Sequence, residues 1–272
     1  MKVLILGCGL VGMPLASMLR EAGHQVTGTT TTPGKVKQLQ QICDDVRVLV
    51  ASDTDGVREA IDAADAVVVG VGPNAARSVT PEGRATHYRE TLTDVADLVV
   101  DAAGDKPIIA FSSLVVYGND NDHLDEIVED APRTDWDDPS PINFKAAEDA
   151  YARADNACMF RCPEIHGADD PPLATKVKMA HDHLGGSVPF RPDTLFYQLP
   201  AEDAARAAAF ALEHRLTGIF NLVPSILPRT NSEVFDELAA EQGLPALEYR
   251  SEIPGPATRI SNARLLGTGF EI

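Results

Sequence analysis

Two groups of residues in this 272-residue chain have the types and spacing to do chemistry. The first is the turn at residues 7–12, Gly-Cys-Gly-Leu-Val-Gly, which follows an apolar run at 2–6 and precedes the helix-forming residues 13–19. A strand, a tight turn and a helix N-terminus bring free backbone N–H groups and the positive end of a helix dipole to one point. The pattern predicts that this turn binds the pyrophosphate of a dinucleotide.

Each glycine of the turn has a separate predicted role. Gly7 makes the tight turn, Gly9 lets the backbone approach the phosphate oxygens, and Gly12 lets the helix pack closely on the strand. The predicted cofactor contacts in this turn are Gly7, Gly9, Leu10, Val11 and Gly12.

The end of the second predicted strand bears on the choice of cofactor. An acidic residue there binds the adenosine ribose hydroxyls and selects NAD. This chain has four threonines instead, including Thr30 and Thr31, followed by Lys35. Hydroxyl groups and a lysine suit a 2′-phosphate, so NADP is favoured, with NAD as the alternative. Asp53 is a candidate acceptor for the adenine amino group, or a solvated loop acid.

The second group lies at residues 111–118, Phe-Ser-Ser-Leu-Val-Val-Tyr-Gly. It follows the fifth predicted strand, and open α/β sheets bind their ligands at the carboxyl ends of the strands. This segment is therefore predicted to lie where the sheet holds a ligand.

With these motifs the chain resembles the extended short-chain dehydrogenase/reductase family, the NAD(P)-dependent epimerases and dehydratases of nucleotide sugars. The glycine turn, residues 112–118, the segment Arg-Cys-Pro-Glu-Ile-His-Gly at 161–167 and the strand Gly-Ile-Phe-Asn at 218–221 occur in the family's order. The resemblance covers nearly the whole chain, and it is more specific for fold than for substrate.

The resemblance implies catalytic roles for two residues. Ser113 matches the hydroxyl that binds the substrate oxygen, and Lys145 matches the lysine of a Tyr-x-x-x-Lys motif, which holds the nicotinamide ribose and lowers the tyrosine's pKa. The tyrosine position is Pro141 in this chain. Because proline has no ionisable group, the chain resembles an atypical branch of the family that lacks the catalytic tyrosine.

Three explanations of the missing tyrosine remain open. Another side chain supplies the proton, or a water held by Ser113 and Asn143 does, or there is no redox turnover. The candidate side chains are Tyr88, Tyr117, His166 and Tyr197.

Further contacts are predicted around the same sheet edge. The remaining cofactor contacts are Val71, Gly72, Lys145 and Pro163. The candidate substrate contacts are Asn143, His166 and Arg191, of which Arg191 would pair with a phosphate or carboxylate.

The hydrophobic pattern predicts the elements that position these residues. Strand and helix periods alternate through the first part, with strands at 25–30, 46–50, 66–71, 107–111 and 156–161 and helices at 34–43, 56–63 and 83–103. This order predicts an α/β fold, a Rossmann-type doubly wound parallel sheet. Residues 1–167 are predicted to form the dinucleotide-binding domain and 168–272 a smaller substrate-binding lid, with segments returning to the sheet.

Composition limits the class of protein. The formal charge of −18 argues against nucleic acid or an anionic membrane as partner. The four cysteines lack zinc-site spacing, which predicts no metal and a reducing, cytoplasmic location. Helices 83–103 and 143–153 either pack on the sheet or form a homodimer surface.

Two functions follow as hypotheses. The first is an NAD(P)-dependent oxidoreductase or epimerase that acts on a small polar or sugar-like hydroxy or keto substrate by hydride transfer, with a non-standard proton donor. The second is a dinucleotide-binding regulator or scaffold without turnover.

Overall fold

The central element of the computed structural model is a seven-stranded parallel sheet. The structure describes residues 1–73 and 80–272. The strands are β1 (Lys2–Leu6), β2 (Gln25–Thr30), β3 (Asp45–Val48), β4 (Ala66–Val69), β5 (Ile108–Ser113), β6 (Ala157–Cys162) and β10 (Gly218–Asn221).

The strand order is β3-β2-β1-β4-β5-β6-β10. The order reverses direction between β1 and β4, which is where doubly wound sheets bind dinucleotides. The predicted Rossmann-type fold is confirmed.

Helices cover both faces of this sheet, so its strands are apolar on both sides. In β1, Val3 and Ile5 point into one apolar cluster with α1 and α8, whereas Leu4 and Leu6 point into a second cluster with α3, α5 and α6. The helices are α1 (Gly12–Glu21), α2 (Val36–Leu39), α3 (Thr54–Asp62), α4 (Pro81–Tyr88), α5 (Asp94–Ala103), α6 (Pro139–Tyr151) and α8 (Ala201–His214).

The helix predicted at 83–103 is a continuous helical stretch with one change of pitch. A π-helical segment at Arg89–Thr93 joins α4 to α5. The apolar face of α5 packs into the core of the sheet, with Val95 and Val99 buried. Packing on the sheet thus accounts for this face, and a homodimer surface here stays a prediction.

The C-terminal part contains a second, smaller apolar core. Buried side chains such as Val177, Val188 and Phe235 form a cluster separate from the sheet core. It is built from α7 (Leu173–Leu184), β8 (Ser187–Phe190), α9 (Asn231–Glu241) and β11 (Glu248–Ile253), with β8 and β11 paired in parallel. The capping-box spacing of Thr230 and Glu233 is confirmed at the start of α9.

Short elements complete the fold. They are the pair β7 (Glu164–His166) and β9 (Gln198–Pro200), the helix α10 (Ala263–Leu266), and 3-10 turns at Pro33–Lys35 and Leu114–Tyr117. The helix predicted at 34–43 is wrong in length, because it is only the first of these turns followed by the four residues of α2.

The acidic, proline-rich segment 119–141 contacts the C-terminal part of the chain. Ile127 is fully buried and bridges to Ile260 near the C-terminus, and Glu129 is 6% exposed. These contacts tie the segment to the C-terminal part. Among the described residues, no helix is both long and apolar enough to cross a membrane.

Candidate functional site

The glycine turn has close backbone contacts that explain two of its glycines. Gly7 has a φ of +90°, and a Cβ there would lie 2.9 Å from backbone atoms of Gly70 and Val71. A Cβ on Gly12 would lie 3.0 Å from the carbonyl oxygen of Gly7. A side chain at Gly7 would displace the turn from the end of β4. A side chain at Gly12 would displace α1 from the turn.

Gly9 differs, because the position that a side chain would occupy there is open space. A Cβ built there meets no atom of the described residues within 4 Å. α1 begins at Gly12 without a side-chain cap from the described residues and has no acidic residue in its first turn. An uncapped helix N-terminus beside an open glycine fits a pyrophosphate group.

The turn opens into a cleft of about 630 Å³ at the carboxyl ends of β1, β2 and β4. Two walls carry predicted residues, Thr30 and Thr31 from β2 and Val71 and Gly72 after β4. Lys35 also lines the cleft. The size, position and lining fit a dinucleotide.

Helical residues on the far wall of the cleft were missed by sequence reasoning. They are His87, Glu90, Thr91 and Asp94, from the end of α4 to the start of α5. The apolar periodicity of 83–103 had indicated only which face packs on the sheet.

Three predicted cofactor contacts, Asp53, Leu10 and Val11, have contacts within the protein. Asp53 caps α3, and its carboxylate accepts the backbone N–H of Gly56 at 3.1 Å. The cleft is lined by its neighbours Ser52 and Thr54. Leu10 is 44% exposed and reaches toward Gly167, whereas Val11 packs against the sheet core.

A second cavity, of about 370 Å³, lies beside Ser113. Ser113 ends β5 and caps the following 3-10 turn, where its hydroxyl oxygen accepts the N–H of Val115 at 3.3 Å. Pro163, predicted as a cofactor contact, lines the same cavity. Most other lining side chains are aliphatic or aromatic and come from α7, α9 and the strands and loops around them.

Tyr197 is the one of the four candidate proton donors that lines this cavity. Its hydroxyl oxygen accepts a hydrogen bond from the backbone N–H of Ile260 at 2.9 Å, and the residue is 7% exposed. Burial raises the pKa of Tyr197 above its ordinary value. The hydroxyl is therefore protonated at neutral pH.

Tyr117 is excluded from substrate by a buried network. The side chain is fully buried, its hydroxyl donates to Asn221 Oδ1 at 2.7 Å, and the hydroxyl oxygen accepts a hydrogen bond from Arg161 Nη1 at 2.8 Å. Burial raises its pKa. The guanidinium of Arg161 also makes two bonds to the carboxylate of Glu148, at 2.8 and 2.7 Å. Tyr117 thus belongs to the scaffold under Ser113.

Tyr88 and His166 also lie apart from this cavity. The ring of Tyr88 stacks under the guanidinium of Arg84, 4.9 Å away, and packs on the sheet core. His166 is half-buried at the end of β7, next to Pro200 of β9, and does not line the cavity.

The residues predicted at the start of α6 have partners within the protein. The ammonium group of Lys145 donates to the carbonyl of Thr134 at 2.5 Å. The amide of Asn143 bonds to Thr93 Oγ1 at 2.9 Å and to the carbonyl of Pro139 at 2.7 Å. The structure therefore does not bring Asn143 to Ser113 to hold a water, and Lys145 lines neither cavity.

The guanidinium of Arg191 is paired with two carboxylates of this protein. It bonds to Asp193 at 2.7 Å and to Asp122 at 3.1 Å. The structure pairs it with these carboxylates rather than leaving it to meet a substrate anion.

The cleft and the cavity open at the same edge of the sheet. Gly70 to Gly72 follow β4, Ser113 ends β5, and these two strands are hydrogen-bonded neighbours. The cleft and the cavity therefore lie at the carboxyl ends of neighbouring strands.

Comparison with protein-family models gives one match. The family of NADP oxidoreductases described as coenzyme F420-dependent matches residues 2–97, about a third of the chain. This segment contains the glycine turn and most of the cleft. No curated protein matches the sequence significantly.

Solved structures match the whole chain at low sequence identity. WbmH of Bordetella bronchiseptica in complex with NAD+ superposes with a TM-score of 0.76 at 21% identity, covering 100% of this chain and 92% of that one. MoeE5 in complex with UDP-glucose and NAD gives a TM-score of 0.76 at 18% identity, with coverage of 99% and 93%.

A short-chain dehydrogenase/reductase superfamily protein of Agrobacterium tumefaciens with bound NAD gives a TM-score of 0.74 at 19% identity, with coverage of 100% and 92%. At these identities the likeness concerns the fold. The chain has the fold of NAD-binding proteins of the short-chain dehydrogenase/reductase superfamily.

Proposed function

We propose that this chain is an NAD(P)-dependent oxidoreductase that interconverts a carbonyl group and an alcohol. The observation that carries the proposal is that the glycine cleft and the Ser113 cavity lie at the carboxyl ends of the neighbouring strands β4 and β5. The structural neighbours with bound NAD support it. The segment that matches an NADP oxidoreductase family supports it further.

The cofactor would be held by the glycine turn, α1 and the end of β2. Backbone N–H groups near Gly9 and Gly12 would bind the pyrophosphate, and Thr30 and Thr31 would face the adenosine ribose. Bound NAD(P)H would supply a hydride to the carbonyl carbon, which is reduced as the cofactor is oxidised.

The chain's own residues would orient and protonate the substrate oxygen. Ser113 would donate a hydrogen bond to that oxygen as negative charge develops on it. Tyr197, which lines the same cavity, would deliver the proton that completes the alcohol, and solvent would replace that proton. In this arrangement Tyr197 takes over the role that Pro141 cannot perform, and Lys145 acts as a structural tie to Thr134.

We favour NADP as the cofactor. The β2 edge has no carboxylate to repel a 2′-phosphate, and Lys35 lines the cleft beside the threonines. Thermal unfolding with NAD, NADH, NADP or NADPH tests this choice. A ligand at 100 times its Kd stabilises the native state by about 2.7 kcal/mol. Stabilisation by NAD(H) alone would overturn the preference for NADP.

A dinucleotide-binding regulator is the second candidate. Lys145 is hydrogen-bonded to Thr134 rather than facing the cavity, and Pro141 stands where the family has its catalytic tyrosine. Both facts favour a protein without turnover. The deciding experiment is prolonged incubation of the protein with NADPH and a panel of ketones, aldehydes and nucleotide sugars, beside a Ser113→Ala variant. Conversion that the variant abolishes supports the enzyme. Tight cofactor binding with no conversion across the panel supports the regulator.

A further inference from the structure

The cavity beside Ser113 is lined as an apolar pocket. Val177, Ala180 and Phe235 line it and are each less than a tenth exposed, at 4%, 6% and 7%. The ring of Phe235 meets Phe196 edge-on at a centroid distance of 5.0 Å and Phe190 at 6.3 Å. These rings and side chains of α7 give the cavity hydrocarbon walls.

Charge around the cavity is already balanced. Among the described lining residues, Lys176 is the one cation, and its ammonium bonds to the carboxylate of Glu164 at 2.8 Å. Arg191, on the adjoining segment after β8, is held by Asp122 and Asp193. Side-chain cations that are free to pair with it favour the binding of a diphosphate. The described part of this pocket offers none that is uncompensated.

The size of the cavity also limits what enters it. A volume of about 370 Å³ is near the lower end for small-molecule sites. A polar group buried there without a partner would be penalised, whereas hydrocarbon surface would gain by leaving water. Ser113 lies among the lining side chains as a hydroxyl able to bond one oxygen atom.

We propose that the substrate is a neutral, predominantly apolar carbonyl compound or alcohol, aliphatic or aromatic, whose single reacting oxygen meets Ser113. Its hydrocarbon body lies between α7, α9 and β8, against Val177, Phe196 and Phe235. This replaces the small polar or sugar-like substrate expected from sequence. The inference rests on the proposed function, and it names that enzyme's substrate class.

The probe for the pocket is 6-propionyl-2-(dimethylamino)naphthalene, a neutral aromatic ketone whose fluorescence shifts to the blue in apolar surroundings. It is titrated into protein saturated with NADP, and UDP-glucose is then added as a competitor. The pocket variant is Leu173→Asp, because Leu173 is half-buried, lines the cavity and starts α7, where an acidic residue suits the helix. The control is Met179→Asp on the same helix, at a side chain 47% exposed outside the cavity.

We expect a saturable blue shift that UDP-glucose does not reverse. Leu173→Asp should raise the Kd for the probe at least about tenfold, because a carboxylate replaces part of the apolar wall. Met179→Asp should leave the Kd for the probe unchanged, and both variants should bind NADPH as the parent does. Absence of the shift, its reversal by UDP-glucose, or equal effects of the two variants would overturn the proposed substrate class.

Turnover separates this inference from the proposed function. Consumption of NADPH with the same ketone, under conditions where binding is saturated, supports both. Binding without consumption of NADPH across the ketone panel counts against the oxidoreductase and leaves the apolar pocket established. Turnover of a nucleotide sugar without binding of the probe supports the oxidoreductase and refutes the apolar substrate.

Discussion

Removing the carboxylate of Glu148 should destabilise the protein far more than removing an exposed carboxylate. Glu148 is 1% exposed and forms a two-bond ion pair with Arg161, whose side chain is 3% exposed. The same carboxylate accepts a hydrogen bond from the hydroxyl of Ser112, the residue before Ser113. Burial by itself would lower the pKa of Arg161, but the hydrogen bonds and charge of Glu148 outweigh it and raise that pKa.

The magnitude follows from what Glu148→Ala leaves behind. The guanidinium would stay buried with only Tyr117 and the carbonyl of Glu129 as partners. Breaking a buried ion pair from one side costs about 3–5 kcal/mol. The matched control is Asp97→Ala, because Asp97 pairs with Arg153 at 2.6 Å with both side chains about half exposed, and such pairs contribute about 0–1 kcal/mol.

Urea unfolding followed by circular dichroism measures both variants against the parent. Similar losses for Glu148→Ala and Asp97→Ala would refute the reasoning. A double variant, Glu148→Leu with Arg161→Met, should recover part of the lost stability, since it removes both charges. If the double variant were less stable than Glu148→Ala alone, the buried charge would not be the cause of the loss.

Four further predictions concern single sites. Gly9→Ala should weaken NADP binding at least about tenfold, or roughly 1.4 kcal/mol, because the added Cβ enters the open cleft. Titration calorimetry measures this loss of affinity, and thermal unfolding should show no loss of stability. Tyr197→Phe should lower kcat for ketone reduction by about 10² to 10⁴, with NADPH affinity unchanged. Because burial raises the pKa of Tyr197, its hydroxyl stays protonated through neutral pH. The parent's reduction rate should therefore not fall until the pH exceeds about 10, the ordinary pKa of tyrosine. A decline near pH 7 would exclude Tyr197 as the proton donor. Thr31→Glu should weaken NADP binding more than NAD binding, since a carboxylate at the cleft repels the 2′-phosphate, and equal losses would remove Thr31 from the cofactor site. Thr230→Ala should lower the free energy of unfolding by about 0.5–2 kcal/mol through loss of the α9 cap, whereas an unchanged urea midpoint would contradict this.

The parts of the fold that depend on local backbone geometry were predictable. The turn at 7–12 and the Thr230 capping box are each made by residues within a few positions of one another. The buried strands were found because their apolar runs have the length of strands and alternate with helices. The ends of the helices were harder to predict than their presence. At α2, a Thr-rich and Pro-Gly segment forms one turn of 3-10 helix, and only four α-helical residues follow it.

The choice among the candidate proton donors was beyond the sequence. Tyr117 follows the Ser113 motif closely, yet it is buried against Arg161 and Asn221, which come from strands far along the chain. Tyr197 is remote in sequence and lines the cavity because the segment before β9 folds back beside β5 and β6. Contacts of this kind depend on the packing of several elements.

By itself, the sequence determined the parallel sheet, the glycine turn and the position of Ser113 at a strand end, because each depends on short-range backbone constraints or on a regular apolar period. The tertiary structure alone decided the polarity of the cavity beside Ser113 and which tyrosine lines it. Residues such as Val177 and Phe235 have the same helical spacing as core residues, and only the packing of α7 and α9 around an open space makes them pocket walls. Lys176 is paired with Glu164, and Arg191 is paired with Asp122 besides its neighbour Asp193, and the contact with Asp122 depends on the tertiary structure.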